Sequence, residues 1–203
     1  DYPTSYNDLF ADEYAGLKTV FPGFIVGKEL GWIAKFHAEE RGMDPVSWLQ
    51  ELKDHLDFIG AGGYGPAIRS VAQGDADIDF HNFPWFASSF VDKYDSLHGV
   101  FVDPVKEEAT AGDLQINKNA PNPWVARFLA SAYFETPVQK RLITDVTDQV
   151  PARTDDLDIE SMDLDDYTTR RLTTPTDLLG YYDLTEYTEV YQDIQNAGVL
   201  NDL

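Results

Sequence analysis

Hydrophobic and polar residues change period within the stretch Phe58–Phe83, and this change predicts three consecutive elements. An apolar run opens the stretch and leads into a glycine-rich turn, Gly60–Gly63. Apolar positions at helical spacing follow, and they end at Gly74. From residue 75 to residue 80, aspartates alternate with apolar side chains, which is the period of a half-buried strand. The stretch is therefore predicted to form a βαβ unit.

The turn of this unit has the composition of a binding loop. Pro66 lies in the first turn of the predicted helix, where its missing N–H costs nothing. The glycines before it let a ligand approach the free backbone N–H groups of the helix, a geometry that binds oxygen atoms and anions. The alternative is that the glycines only make a tight connection. The turn carries neither the Gly-Lys-Ser/Thr of a phosphate loop nor the glycine spacing of a dinucleotide fingerprint.

The same patterns along the chain predict an α/β fold, with a mainly parallel sheet and helices on both faces. Further strands are predicted at residues 17–21, 100–102 and 114–116. Further helices are predicted at residues 28–42, 45–56, 84–92, 122–133, 136–146 and 177–200. The helices at 122 and 136 both open on an X-Pro step, which favours a helix start and predicts a pair of neighbouring helices.

The composition changes near residue 154. Residues 155–166 hold seven acidic side chains and no basic one. A solvated acidic linker explains this segment better than a calcium site, because it lacks the glycine and the terminal glutamate of an EF-hand loop. The predicted organisation is therefore an α/β lobe at 1–120, paired helices at 121–153, and an acidic linker with a terminal helical segment at 154–203.

The net charge of the chain limits the kinds of molecule it is expected to bind. The chain has 36 acidic and 15 basic residues in 203, a formal net charge of −21. Such a charge repels phosphate backbones and anionic lipid headgroups, so neither nucleic acid nor a membrane surface is an expected partner. A folded, acidic, lysine-poor surface fits a protein that stays soluble in high salt, and we interpret the source as halophilic. The chain has no cysteine, which excludes disulfides and thiolate chemistry.

The sequence offers no motif for turnover, and no catalytic residue, metal site or cofactor is expected. The glutamates after His37 do not complete an HExxH motif, and no serine lies in a nucleophile elbow. The cluster His81-Asn82-Phe83 is more informative, because it follows a predicted strand at the edge where open α/β sheets bind ligands. Polar groups beside aromatic rings are typical of a small-molecule pocket. The alternative is an aromatic core in which Asn82 caps a helix.

Four segments match a known family in order and spacing. They are Pro3-Thr4-Ser5-Tyr6-Asn7-Asp8-Leu9-Phe10 with Glu13-Tyr14-Ala15-Gly16-Leu17; Gly62-Gly63-Tyr64 with Val71-Ala72-Gln73-Gly74-Asp75-Ala76-Asp77-Ile78; Asn117-Lys118-Asn119-Ala120-Pro121-Asn122-Pro123 with Ala126-Arg127-Phe128-Leu129; and Thr136-Pro137-Val138-Gln139 with Val150-Pro151-Ala152-Arg153. Over Tyr2–Asp158 the chain resembles the extracellular solute-binding proteins of ABC importers. The resemblance is to their iron(III)-type and family 1 group, which has the type 2 periplasmic-binding-protein fold.

The resemblance implies two lobes that close on a ligand and deliver it to an ABC permease at the membrane. The chain is expected to begin in the second lobe, as a processed or excised piece, and to return toward a mostly missing first lobe through the paired helices. The implied location is extracellular or at the cell surface, with a lipid anchor in the full-length protein. The ligand-binding residues it implies are Gly23, Gly62, Gly63, Tyr64, His81, Asn82 and Phe83.

The sequence departs from the iron-binding members at one important place. Those proteins carry two adjacent tyrosines just after the strand that here ends at Phe80, and this chain has His81-Asn82-Phe83 instead. Phenolate ligation of a hard Fe(III) ion is not available there. An oxyanion or a small polar organic solute is the expected ligand, and a metal ion stays an open alternative.

Two other functions are compatible with the same scaffold. An enzyme requires a nucleophile or an acid–base pair inside the cleft. A ligand-sensing domain of a regulator requires a DNA-binding or signalling module elsewhere in the protein. The prediction is capture of a solute without turnover.

Overall fold

The computed structural model describes residues 2–22, 27–91, 93–100, 102, 105–108, 116–143, 157–158, 161–164, 169, 172, 176–179 and 181–203. The chain divides into two compact units, one formed by 1–107 with 175–203 and the other by 108–174. The three predicted segments, 1–120, 121–153 and 154–203, have other boundaries than these two units. That division of the chain stays a prediction.

The first unit is built on a parallel three-stranded sheet. Its strands are β1 (Lys18–Pro22), β2 (Asp57–Ala61) and β3 (Ile78–Asp79), in the order β2-β1-β3. The register pairs Thr19 with Phe58 on one side and with Ile78 on the other. The α/β class with a parallel sheet is therefore confirmed.

Helices cover both faces of this sheet. They are α1 (Gly27–Arg41), α2 (Pro45–His55), α3 (Tyr64–Gln73) and α4 (Pro84–Val91), joined by α7 (Tyr181–Ala197) from the end of the chain. Successive residues of a strand point to opposite faces. Accordingly, Phe21 belongs to a large core with residues of α1, α2 and α7, while Val20 contacts Ala67 of α3 in a smaller core.

The helix α7 completes the large core, as predicted for the terminal segment. Gly31 of α1 lies against the backbone of α7, because a Cβ at Gly31 would come within 1.9 Å of the carbonyl oxygen of Tyr187. Ile194 of α7 is fully buried. Lys53 of α2 donates a hydrogen bond of 2.6 Å to the carbonyl of Val199 and pairs with the carboxylate of Asp202.

The second unit contains α5 (Pro123–Tyr133) and α6 (Thr136–Arg141), the two predicted proline-started helices. The side chain of Gln139 in α6 is buried and donates to the carbonyl of Tyr133, 2.7 Å away. This bond ties the beginning of the second helix to the end of the first.

Several predicted element boundaries are wrong, for local reasons. Gly60 and Ala61 belong to β2, because pairing with β1 continues to Ala61, so the glycine turn is only Gly62-Gly63. The predicted strand 75–80 is reduced to two residues, because the N–H groups of Asp75 and Ala76 bond back to the carbonyl of Ser70 at the end of α3.

Two further predictions fail beyond residue 99. Val100 and Val102 are not in a strand, and β4 (Val105–Glu108) begins three residues later. It forms a two-stranded sheet with β5 (Thr176–Leu179), a segment predicted to be helical. Leu114 of the predicted strand 114–116 lies outside the described residues, and Ile116 is not in a strand.

Candidate functional site

The predicted binding segments meet at one edge of the sheet. The N-terminus of α3 follows the carboxyl end of β2, and His81-Asn82-Phe83 follow the carboxyl end of β3. Because the strands are parallel, both segments lie at the same edge, where open α/β sheets bind ligands. The N–H of Phe80 bonds to the carbonyl of Val20 at 3.0 Å, which anchors the second segment to the central strand.

Asn82 links the two segments directly. Its amide nitrogen donates to the carbonyl of Tyr64, 3.1 Å away, and to the carboxylate of Asp79, 2.6 Å away. Both partners are acceptors, so the orientation of the amide group is fixed. A helix cap uses the side-chain oxygen of the capping residue as an acceptor. Asn82 instead uses its nitrogen, and the capping alternative is therefore not what the structure shows.

His81 is held by a tyrosine from the start of the chain. Its Nδ1 lies 3.1 Å from the hydroxyl of Tyr6, which belongs to the short 3-10 helix Tyr6–Phe10. Burial lowers the pKa of His81 to about 4, so the ring is neutral at neutral pH. Burial, together with the nearby charge of Asp79, raises the pKa of Tyr6.

Asp79, like Tyr6, is a residue of this cluster that the sequence pattern does not single out. Burial raises its pKa to about 7, although hydrogen bonds from Asn82 and from the backbone of His81 act in the opposite direction. Sequence alternation had predicted an outward-facing aspartate at this position. The visible signal was that Asp79 is the last aspartate of the strand and lies beside the polar pair that follows.

Three polar atoms of the cluster have no hydrogen-bond partner among the described residues. They are Oδ1 of Asp79, Nε2 of His81 and Oδ1 of Asn82, and each is shielded from solvent. A buried polar atom without a partner costs on the order of 1–3 kcal/mol. Three such atoms, on residues 79, 81 and 82, make this edge of the sheet the candidate site.

Aromatic rings lie beside these polar atoms. The centroids of Tyr64 and Phe83 are 4.7 Å apart, and those of His81 and Phe83 are 6.1 Å apart. Gly63 caps α3 with a φ of 139°, a value that favours glycine. Gly62 has nothing within 4 Å of the position of a Cβ, so its surroundings are open. Of the predicted site residues, Gly23 lies outside the described residues.

A cavity of about 580 Å³ lies at the same end of β1 and β2. The sheet contributes Phe21, Gly60 and Ala61 to its wall, and α7 contributes Tyr191 and Gln195. A side chain at residue 60 would meet the backbone of Leu203, with a Cβ at 2.6 Å, so this wall needs a glycine. The volume is in the range of small-molecule sites, but neither Gly62–Tyr64 nor His81–Phe83 contributes to the wall of this cavity.

Two of the other histidines are held by aromatic contacts. His37 is fully buried and stacks on Trp48 with ring centroids 6.0 Å apart, whereas the exposed His98 stacks on Tyr2 at 3.8 Å. Within the described residues, no group of three or more His, Cys, Asp or Glu side chains is arranged to hold a metal ion. None of the described helices is long and apolar enough to cross a membrane.

Comparisons with known proteins do not add a relative. No protein-family model, no curated protein and no solved structure matches this chain. The resemblance to solute-binding proteins therefore stays a prediction.

Proposed function

We propose that this chain is the ligand-capturing part of an ABC-type importer, a solute-binding protein of the type 2 periplasmic-binding-protein fold. The ligand is a small solute held at the carboxyl edge of the sheet by the α3 N-terminus and by His81 and Asn82. In this proposal the protein binds the solute without transforming it and presents it to a permease from the extracellular side.

One observation carries the proposal. Asn82 connects the α3 turn to the segment after β3, and beside this link three buried polar atoms have no hydrogen-bond partner among the described residues. Groups of this kind are kept in a fold when a ligand supplies the missing hydrogen bonds. The aromatic rings of Tyr64 and Phe83 give the apolar surface that a small organic solute also needs.

The apolar face of α5 supports the two-lobe part of the proposal. Trp124, Phe128 and Leu129 are 77%, 71% and 61% exposed, which is costly for a helix in isolation. The resemblance implies that these helices pack on a first lobe. We propose that this face belongs to that contact, and that closure of the two lobes traps the solute.

The proposal does not include iron. The ring nitrogen of His81 and the amide of Asn82 occupy the positions where iron-binding members carry paired tyrosines, and neither supplies a phenolate.

A thermal-shift panel tests the proposal. Phosphate, molybdate, sugars, polyols and amines are added to the protein, and one class is expected to raise the melting temperature. A ligand at a hundred times its Kd stabilises the folded state by about 2.7 kcal/mol. The same panel with Asn82→Leu and His81→Ala is expected to lose the shift. His98→Ala, at an exposed histidine, is the matched control and is expected to keep it.

Two outcomes contradict the proposal. One is that no solute shifts the melting temperature of the full-length protein. The other is that Asn82→Leu and His81→Ala bind like the wild type.

An enzyme on the same scaffold is the second candidate, and one observation favours it. A carboxyl group with a pKa raised to about 7, as Asp79 has, is suited to general acid–base catalysis at neutral pH. Consumption of the stabilising ligand, followed by NMR and abolished by Asp79→Asn, is the result that would favour the enzyme over the binding protein.

A further inference from the structure

We infer that the solute bound at this edge carries a protonated amine, and that Asp79, His81 and Asn82 receive its ammonium group. This inference rests on the proposed function and specifies the chemical class of its ligand. It reverses the expectation of an oxyanion that the α3 N-terminus alone suggests.

The first step is the chemistry of the unpartnered atoms. The amide N–H groups of Asn82 are directed to Tyr64 and Asp79, so the free atom of this side chain is its oxygen, an acceptor. The free atom of Asp79 is a carboxylate oxygen, which also accepts when the group is ionised. A fully deprotonated oxyanion such as molybdate offers only acceptors, so it gains nothing from these two atoms. Phosphate keeps an O–H donor at neutral pH, but its charge is repelled by an ionised Asp79.

The second step concerns Nε2 of His81, the third unpartnered atom. Nδ1 of His81 contacts the hydroxyl of Tyr6, and Nε2 has no partner among the described residues. In the tautomer that donates from Nδ1, the neutral ring presents Nε2 as an acceptor. The cluster then offers three acceptors, and a primary ammonium group carries three donors.

The third step is charge. Within the described part of the chain, no lysine or arginine forms an ion pair with Asp79, although a buried carboxylate is normally paired. The groups that face it are Tyr6 from the 3-10 helix, His81 from the following loop, Val20 from β1 and, through Asn82, the carbonyl of Tyr64. A cationic ligand supplies the missing counter-charge, and the rings of Tyr64 and Phe83 also favour a cation.

The test uses the full chain and four probes at matched ionic strength: methylammonium, putrescine, sorbitol and phosphate. We expect the amines to raise the melting temperature and phosphate to leave it unchanged. Asp79→Asn keeps the shape of the side chain and is expected to lose the amine shift. Asp75→Asn removes the same charge at an exposed position nearby and is expected to keep it.

Calorimetric titration with putrescine gives an independent readout. Binding of a cation requires ionised Asp79, whose pKa is raised to about 7 by burial. The association constant is therefore expected to be about tenfold lower at pH 6 than at pH 8. The association constant of a polyol, which binds through O–H donors, is not expected to fall tenfold between pH 8 and pH 6.

The outcomes separate the inference from the proposed function. If sorbitol or phosphate binds and Asn82→Leu abolishes that binding, solute capture stands and the amine inference is overturned. Equal loss of amine binding in Asp75→Asn and Asp79→Asn shows attraction to the acidic surface only, and it also overturns the inference. Unliganded melting temperatures no lower than that of the wild type in both variants show that a failure to fold is not the cause, and Asn82→Leu gives a second, charge-neutral variant.

Discussion

The helices α2 and α5 have similar sequence signals, but the apolar face of α2 is buried and that of α5 is exposed. Each starts with proline at its first position and carries a tryptophan and further apolar residues on one face. In α2, Trp48, Leu49 and Leu52 are fully buried. In α5, Trp124 is 77% exposed and none of the helix residues is buried. The apolar period thus predicts the helix correctly in both cases, but it does not reveal what covers the face.

The largest expected difference in stability is between replacing Trp48 and replacing Trp124 with alanine. Trp48→Ala should lower the free energy of unfolding by about 3–5 kcal/mol, because it leaves a cavity and removes the donor to Oδ1 of Asn7, 2.8 Å away. Trp124→Ala should change it by no more than about 0.5 kcal/mol. Urea denaturation measures both. A large loss in Trp124→Ala would mean that the α5 face is covered in solution.

Alanine substitution of two glycines compares the close contact of α1 with α7 to an open position. Gly31→Ala places a methyl group within 1.9 Å of the Tyr187 carbonyl, so the helices must move apart at a cost of about 1–3 kcal/mol. Gly62→Ala, where nothing lies within 4 Å, is the control and should be close to neutral. Thermal unfolding of the two variants gives the comparison. Equal melting temperatures would contradict this packing.

Titration of the buried cluster extends the comparison to polar groups. The pKa of Asp79 is raised to about 7, so its native state holds a proton that the unfolded state has lost, and its contribution falls as pH rises from about 4 to 7. The pKa of His81 is lowered to about 4, so its contribution is lost as pH falls from about 6.5 to 4. The two slopes oppose each other in the wild type.

Removing one group should expose the slope of the other. In Asp79→Asn, the free energy of unfolding is expected to rise as pH is raised from 4 to 6.5, because only the slope of His81 remains. In His81→Gln, it is expected to fall as pH is raised from 4 to 7, because only the slope of Asp79 remains. Each change should be on the order of 2 kcal/mol after allowance for solvent screening. Denaturation at several pH values measures this. Parallel profiles for both variants would contradict the assigned burial.

The smallest expected difference is between the two helix caps. The side chain of Asp44 accepts from the N–H of Ser47 at 3.0 Å, whereas Asn122 makes no such bond at the start of α5. Asp44→Ala should therefore cost measurable stability, less than Gly31→Ala, while Asn122→Ala should be nearly neutral. Melting temperatures compare the two. A larger loss for Asn122→Ala would reverse this interpretation.

The sequence predicted the elements whose signals are local. Asp44 and Pro45 at the start of α2 and Gly74 after α3 correspond to described helix boundaries. Partner-dependent features were missed. The strand β5 depends on pairing with β4, far away in sequence, so the local pattern does not distinguish its residues from the start of the terminal helix.

The candidate site was predicted in part for the same reason. Asn82 and Tyr64 were selected, and the structure brings them together at 3.1 Å. Tyr6 and Asp79 were not, because their importance arises only when burial removes water from both. Local patterns cannot report the desolvation that a distant segment imposes.

The interleaved layout of the first unit affects the order in which this protein can mature. Its sheet comes from the first 107 residues, yet the wall of its cavity and part of its core come from residues 175–203. A ribosome releases these two pieces at different times, with 67 residues of the second unit, 108–174, synthesised between them. The nascent α1 surface therefore lacks its partner helix until residues 181–197 have been synthesised, so the large core closes after the second unit has left the ribosome.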